Sequence, residues 1–386
     1  MRADVGPDVD RIPVSVPGSV DAGYEVRIQP GSFADLPERC RDFAPAHRYA
    51  VITDSQVHRL YGRAAVENLR SEGLDAEAVV FPSGEWNKTR QTWADVTDAL
   101  LQMGLGRDAA IVALGGGVTG DLAGFVAATY MRGLPVVQVP TTLVAMLDAS
   151  VGGKTGVDAP RAKNVVGAFH HPAHVLVDPE LLASLPPYQR VAGLAEAVKA
   201  AAIADGDFLC WIEENASALE GGGLAETTEA IRRGVRIKAA VVEEDPTETG
   251  RRVVLNFGHT LGHALETLSG YSLLHGEAVA AGMRLAARIG EELGITATGV
   301  RIRLEAVLAA CGLADRPEAE AAADGLLEAA RGDKKMRRSE VRWVLLETVG
   351  RVARAPDGSW SHALPTDQVA PILAGALRDA AGGADS

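Results

Sequence analysis

A chain of 386 residues with a formal net charge of −13, 47% apolar and 23% charged, has the composition of a globular protein with ample core, enough for two domains. The acidic balance argues against nucleic acid and against an anionic membrane surface as partners, so an anionic ligand would have to be met by local clusters of Lys and Arg. The three cysteines, Cys40, Cys210 and Cys311, are scattered without a Cys-x-x-Cys pair, which speaks against a disulfide framework or a thiolate zinc site and for a reducing, cytoplasmic setting. The N-terminus has no apolar signal region, no apolar run approaches a membrane span, and residues 1–10 and 382–386 are expected to be disordered.

Up to about residue 185, short β-branched runs alternate with amphipathic stretches. Tyr49–Asp54, Ala76–Phe81, Ala109–Leu114 and Val136–Pro140 read as strands, which implies βαβ units and a mainly parallel sheet. Leu114-Gly-Gly-Gly-Val-Thr-Gly-Asp121 follows one of them and opens the amphipathic run Leu122–Met131, the context of a phosphate-binding turn. Gly115, Gly117 and Gly120 satisfy G-x-G-x-x-G, and tight packing is the bland alternative. No acidic residue follows at the ribose-binding distance of an ordinary dinucleotide fold, so Asp54 at a strand end and Glu85 are the candidates for that role. Val151-Gly-Gly-Lys-Thr-Gly156 and Ala162-Lys-Asn164 look like loops. The former is not a P-loop, because Asp148 stands where its first glycine belongs.

After Leu185-Pro-Pro187 the texture turns helical: Val191–Ile203, Leu224–Val242 and Val279–Leu293. The expected organisation is therefore an α/β domain over residues 1–184 and a predominantly α-helical domain over 185–386. Glu196 and Lys199 share a helix face. His259 and His263 lie four apart in a helical run with His275 close behind, and spacing alone favours the first two as joint metal ligands. Gly258, Gly262 and Gly276 cost helix stability unless something approaches closely. Thr260 excludes a His-Glu-x-x-His protease. Lys238, Arg252 and the Lys334-Lys335 pair are further basic candidates, and Val341–Leu346 reads as a small strand.

Taken in series, Gly115–Phe125, Pro140-Thr-Thr142, Ser150–Gly156, Lys163-Asn164, Gly193–Lys199, Asn256–His263 and His275–Val279 closely resemble the 3-dehydroquinate synthase family of sugar-phosphate cyclases, over about residues 24–352. The resemblance implies NAD in the N-terminal domain, zinc (or cobalt) in the C-terminal one, and a substrate in the cleft between them. It implies Glu196, His259 and His275 as metal ligands, which moves His263 to the substrate. NAD contacts would be Asp54, Glu85, Lys88, Gly116, Gly117, Val118, Thr119, Gly120, Asp121, Thr141, Thr142, Asp148, Lys154, Lys163, Leu181 and Ser184. Substrate contacts would be Lys154, Asn164, Lys199, Lys238, Arg252, Asn256, His263, and Lys334 or Lys335, with Arg132 lent to a neighbouring subunit of a homodimer. The implied reaction oxidises a hydroxyl of 3-deoxy-D-arabino-heptulosonate 7-phosphate with NAD, eliminates phosphate, returns the hydride and closes the ring by an aldol step. Trp86, Asn87, Gln189 and the run Ala200-Ala-Ala202 depart from the family's usual residues without removing a ligand or a charge. The rival readings are a cyclase of secondary metabolism, a metal-dependent polyol dehydrogenase, and an inactive metal- and nucleotide-binding regulator.

Overall fold

A computed structural model describes residues 10–16, 23–159, 162–270, 272–315, 317–332 and 341–382. Lys334 and Lys335, and nearly all of the two ends expected to be disordered, lie outside the described residues; Asp10, by contrast, opens a strand. The chain divides into two compact units, residues 1–186 with 227–246, and residues 187–226 with 247–386. The change of texture near 185 marks one crossing. The single boundary expected there does not capture the return of 227–246 to the first unit.

In the first unit, β1 (Asp10–Ser15), β2 (Gly23–Ile28), β3 (Arg48–Asp54), β4 (Asp75–Phe81), β5 (Ala109–Gly115), β6 (Val136–Pro140) and β9 (His174–Val177) form one sheet in the order β1-β2-β9-β6-β5-β3-β4. Only the β1–β2 pair is antiparallel. Every residue of β5 is buried, which is why the strand reads as an unbroken apolar run rather than an alternating one. From β3 the chain steps to β4 on one side and later to β5 and β6 on the other. The strand order therefore reverses between β3 and β5, the place where open parallel sheets bind ligands beyond their carboxyl ends.

Helices α1 (Leu36–Phe43), α2 (Ser55–Val57), α3 (Arg63–Ser71), α4 (Arg90–Gln102) and α5 (Gly117–Thr129) connect these strands. The run after the glycine turn is not amphipathic as expected. Helix α5 is buried on nearly all sides, between the sheet and a hairpin. That hairpin is a correction to the sequence reading: the two segments taken for loops open β7 (Lys154–Ala159) and β8 (Ala162–Phe169), which pair antiparallel with Gly156 opposite Gly167. Glycines in place of side chains let the paired backbones approach but erase the alternation that identifies a strand.

The second unit is built on α6 (Pro187–Ala204), α7 (Gly206–Gly221), α9 (His259–Leu268), α10 (His275–Glu292), α11 (Val300–Ala310), α12 (Ala323–Gly332) and α13 (Thr366–Gly382). Helix α8 (Leu224–Glu244), with Ile231, Gly234, Val235, Lys238 and Val242 buried, belongs from Thr227 on to the first unit. The strand expected over Val341–Leu346 appears as two pieces, β10 (Arg342–Trp343) and β11 (Leu346–Thr348), with β12 (Arg351–Val352) and β13 (His362–Ala363) as their partners. At the centre of the second unit, α6 and α10 are buried almost without interruption. A Cβ on Gly282 of α10 would lie 1.9 Å from the Gly258 carbonyl oxygen, and one on Gly276 would lie 1.7 Å from that of Ala192 in α6.

Two outcomes test this description. Gly282→Ala is expected to destabilise the protein by ~3 kcal/mol or more in urea unfolding, because the obstacle is backbone. Gly375→Ala in α13, where a Cβ meets only an Arg378 side-chain atom at 3.9 Å, should be neutral or stabilising by ~0.5–1 kcal/mol. The second outcome concerns His174, which is fully buried, stacks on Phe43 at 4.3 Å and has no hydrogen-bond partner at either ring nitrogen. Burial, then the charges of Arg39, Arg27 and Arg11, pushes it down to about 3. The unfolded chain takes up this proton near the ordinary value of about 6.5, so the neutral buried ring costs stability as pH falls from about 6.5 toward 3, by up to ~1.4 kcal/mol per pH unit. Unfolding free energies of His174→Gln should fall less steeply than wild type across that window, and parallel slopes would refute the assignment.

Candidate functional site

Glu196 on α6, His259 as the first residue of α9, and His275 as the first residue of α10 converge in the second unit. The Nε2 atoms of His259 and His275 lie 3.7 and 3.5 Å from the same oxygen, Glu196 Oε1. One ligand atom from each of the three residues lies within 4.8 Å of the others. Tetrahedral donors about 2.0–2.1 Å from an ion stand roughly 3.3 Å apart, so this donor set fits one divalent cation after small adjustments. His259 Nδ1 is 3.2 Å from the Phe257 carbonyl oxygen. Burial opposes a positive charge on His275, but hydrogen bonds to Glu196 and Glu266 outweigh it and push the imidazole up to about 10. Carboxylates that draw a proton this strongly equally favour a metal ion, and the two compete for the same nitrogen.

Lys199, one helical turn beyond Glu196, forms a buried ion pair with its Oε2, and each residue is only 2% exposed. The His263 ring sits edge-on to His259 at 5.3 Å and 6.1 Å from His275, so it belongs to the same cluster but not to the Glu196 donor set. A second triad, His263, Glu266 and His275, also falls within 4.8 Å. Arg252 and Asn256 lie on the 3-10 segment Arg251–Asn256, with Arg252 buried and the Asn256 amide donating to Glu248 Oε1 at 2.7 Å. Glu248 is absent from the sequence-derived set. Its signal is conformational, a non-glycine residue held at φ 58°, which no motif reveals.

The first unit holds the other expected residues. Helix α5 starts at Gly117, directly beyond the end of β5. The neighbouring strand β3 ends at Asp54, which caps Gln56 and Val57 through Oδ1 and accepts from the Thr119 hydroxyl at 3.3 Å through Oδ2. Thr141 N–H donates to the Gly115 carbonyl, and the Thr142 hydroxyl accepts from Ala145 N–H. Packing accounts for part of the glycine pattern, since Cβ atoms on Gly115 and Gly124 would strike Thr119 and Thr155. At Gly117, where the nearest atom would be 3.4 Å away, packing supplies no such reason. Leu181 and Ser184 lie on the turn Pro179–Ser184, where the Tyr61 hydroxyl donates to the Leu181 carbonyl and contacts Ser184 Oγ at 2.8 Å.

A buried charge network lies nearby in the same unit. Lys88 donates to Asp121 Oδ2 and Asn164 Oδ1, both at 2.5 Å, and Lys163 Nζ stands 3.6 Å from Glu85 Oε1. Burial disfavours charge on Lys88, yet Asp121 and Glu85 outweigh it and raise its proton affinity. Burial likewise lifts the Asp121 carboxyl above its usual range. Asn164 is held in the left-handed region at φ 51° while its N–H donates to Asp158. Lys238 on α8 donates to Asp148 Oδ1 at 2.7 Å, and Lys154 is exposed at the start of β7. Arg132 is exposed, at φ 71° after Met131 at 51°, and makes no ion pair among the described residues.

The sequence matches the 3-dehydroquinate synthase N-terminal family model over residues 78–192 and the C-terminal model over residues 193–336. A 3-dehydroquinate synthase of Symbiobacterium thermophilum is 44% identical over 338 residues, covering 87% of this chain and 94% of that protein. One of Gloeobacter violaceus is 41% identical over 343 residues, covering 89% and 94%. Among solved structures, 2-epi-5-epi-valiolone synthase from Streptomyces hygroscopicus with NAD+ and Zn2+ bound superposes with a TM-score of 0.83 at 29% identity, covering 95% of this chain and 99% of that one. A 2-deoxy-scyllo-inosose synthase shares the fold with a TM-score of 0.86 at 24% identity, covering 95% and 99%.

Removing one member of the Lys88–Asp121 pair leaves the other charge buried. Asp121→Asn is expected to cost ~3 kcal/mol in chemical denaturation, whereas Lys88→Met with Asp121→Leu should lie within ~1 kcal/mol of wild type. Equal losses in both variants would show that packing, not charge, holds this site.

Proposed function

Because the chain belongs to the 3-dehydroquinate synthase family, we propose that it acts as a lyase on 3-deoxy-D-arabino-heptulosonate 7-phosphate, giving 3-dehydroquinate and inorganic phosphate. The observation that carries the metal-dependent reading is the convergence of Glu196, His259 and His275 on one point. We assign these three as ligands of a divalent ion, zinc or cobalt, with positions left for substrate oxygens. NAD is assigned to the first unit, at the turn Gly116–Asp121 with Asp54, Glu85, Lys88, Thr141, Thr142, Asp148, Lys154, Lys163, Leu181 and Ser184. The valiolone synthase related to this chain is described with NAD+ and Zn2+ bound, which supports both cofactors.

When bound, NAD supplies reversible oxidation of a substrate hydroxyl, and the metal supplies Lewis-acid polarisation of that oxygen. The chain's own groups then have three tasks. Lys199 neutralises Glu196 and presents an ammonium to substrate oxygens. Lys154, Asn164 and His263 hold the phosphate, whose own oxygens take the proton adjacent to the new carbonyl as the C–O bond to phosphate breaks. Arg252, with Lys238 and Asn256, recognises the carboxylate, a group that substrates of the inosose and valiolone cyclases lack. Arg132, exposed on a strained turn, is assigned to the phosphate site of a second copy in a homodimer. Among the described residues no helix is long and apolar enough to cross a membrane. We place the protein in the cytoplasm, with neither membrane nor nucleic acid as a partner.

Purified protein incubated with the heptulosonate phosphate, NAD and zinc should release phosphate with a cyclic product and no net NADH. Net NADH, or turnover only with sedoheptulose 7-phosphate or glucose 6-phosphate, would overturn the reading. His259→Ala should lose metal and activity together. His263→Ala should keep the metal and lose roughly 10²–10⁴-fold in kcat. Equal metal loss in the two variants would refute the ligand assignment.

A further inference from the structure

Both imidazoles of the proposed metal set are held from behind, and by different groups. The Nε2 atoms of His259 and His275 face Glu196 Oε1. Their Nδ1 atoms face away, toward the neutral carbonyl of Phe257 for His259 and toward the carboxylate of Glu266, 3.4 Å distant, for His275. Glu266 lies two turns along α9 from His259 and is 3% exposed, so its carboxylate has little access to water. A neutral imidazole has one N–H and one lone pair, and a carboxylate at Nδ1 selects the tautomer whose lone pair is on Nε2.

We propose that Glu266 is a positioning residue that holds His275 as the Nδ1–H tautomer, turns its Nε2 toward Glu196 and His259, and makes it the more basic of the two imidazole donors. The inference rests on the metal-site reading above. A carboxylate behind a ligating histidine fixes ring orientation and raises ligand basicity, and its loss commonly weakens metal binding by about 10–100-fold. The competing arrangement uses His263, Glu266 and His275 as the donor set. That arrangement leaves without a role the shared approach of His259 Nε2 and His275 Nε2 to Glu196 Oε1.

The test is zinc affinity of the metal-stripped full-length protein, measured by competition with a chromogenic chelator, together with melting of the stripped form. Glu266→Leu is expected to bind zinc about 10–100-fold more weakly than wild type, and Glu266→Gln, which keeps an acceptor without the charge, to fall between the two. Melting of the stripped protein should not track these losses. Affinities within about threefold of wild type in both variants would overturn the proposal. Abolition of binding as complete as in His259→Ala would also overturn it, by making Glu266 a ligand. If wild type itself binds no zinc, the metal-site reading fails first, and that result is distinct from either variant outcome. Should the variants not fold, nitrogen-15 histidine spectra of zinc-loaded wild type decide. Nδ1 protonated and Nε2 metal-bound at His275, identified by its absence in His275→Gln, is the expected pattern, and the reverse sinks the proposal.

Discussion

The second unit depends on how closely three helix backbones can approach. Gly276 lies against the carbonyl of Ala192 at the start of α10, and Gly282 lies against that of Gly258 one and a half turns later. At these distances no side chain fits, so the contact sets both the separation and the rotation of α6, α9 and α10. Glu196, His259 and His275 are placed by that geometry, because each sits within a few residues of such a contact. Glycine in a helix gives up ~1 kcal/mol relative to alanine. Here that cost purchases a short lever between the backbone and the donor atoms, which limits how far thermal motion can spread them.

Both units bury charge where a core built only for stability would not. The Glu196–Lys199 pair is removed from water, and so is Lys88 beside the partly buried Asp121, although apolar residues of similar volume would usually do as well or better for stability. Such violations cluster at functional sites. They also explain how a chain with a net charge of −13 can serve a doubly anionic substrate. The relevant field is set by lysines and arginines in poorly screened surroundings over a few ångströms, not by the total.

What was legible in the sequence follows the same division. The central strands were readable because burial on both faces gives unbroken apolar runs, as in β5. The four-residue β9 and the glycine-bearing hairpin β7–β8 were not, because neither carries a period long enough to see. Helix α5 was located correctly by its glycine turn and misjudged in character, since a helix enclosed on nearly all sides has little polar face to betray. Helix α8 has a clear apolar stripe, but a stripe does not say which unit it covers.

The histidines show where local pattern stops being sufficient. Four-residue spacing puts His259 and His263 on one face of α9, and nothing local distinguishes them. Their difference is tertiary: Glu196 arrives from another helix and stands 3.7 Å from His259 Nε2, while His263 groups with Glu266 and His275 instead. The resemblance over about residues 24–352 implies that His263 is not a ligand, and the approach of both other imidazoles to one oxygen of Glu196 supports that reading. A ligand set is defined as much by what stands behind each donor as by the donors. In α9 the same helix supplies His259 and, two turns on, the carboxylate facing the back of His275, so one short segment bears on both imidazoles.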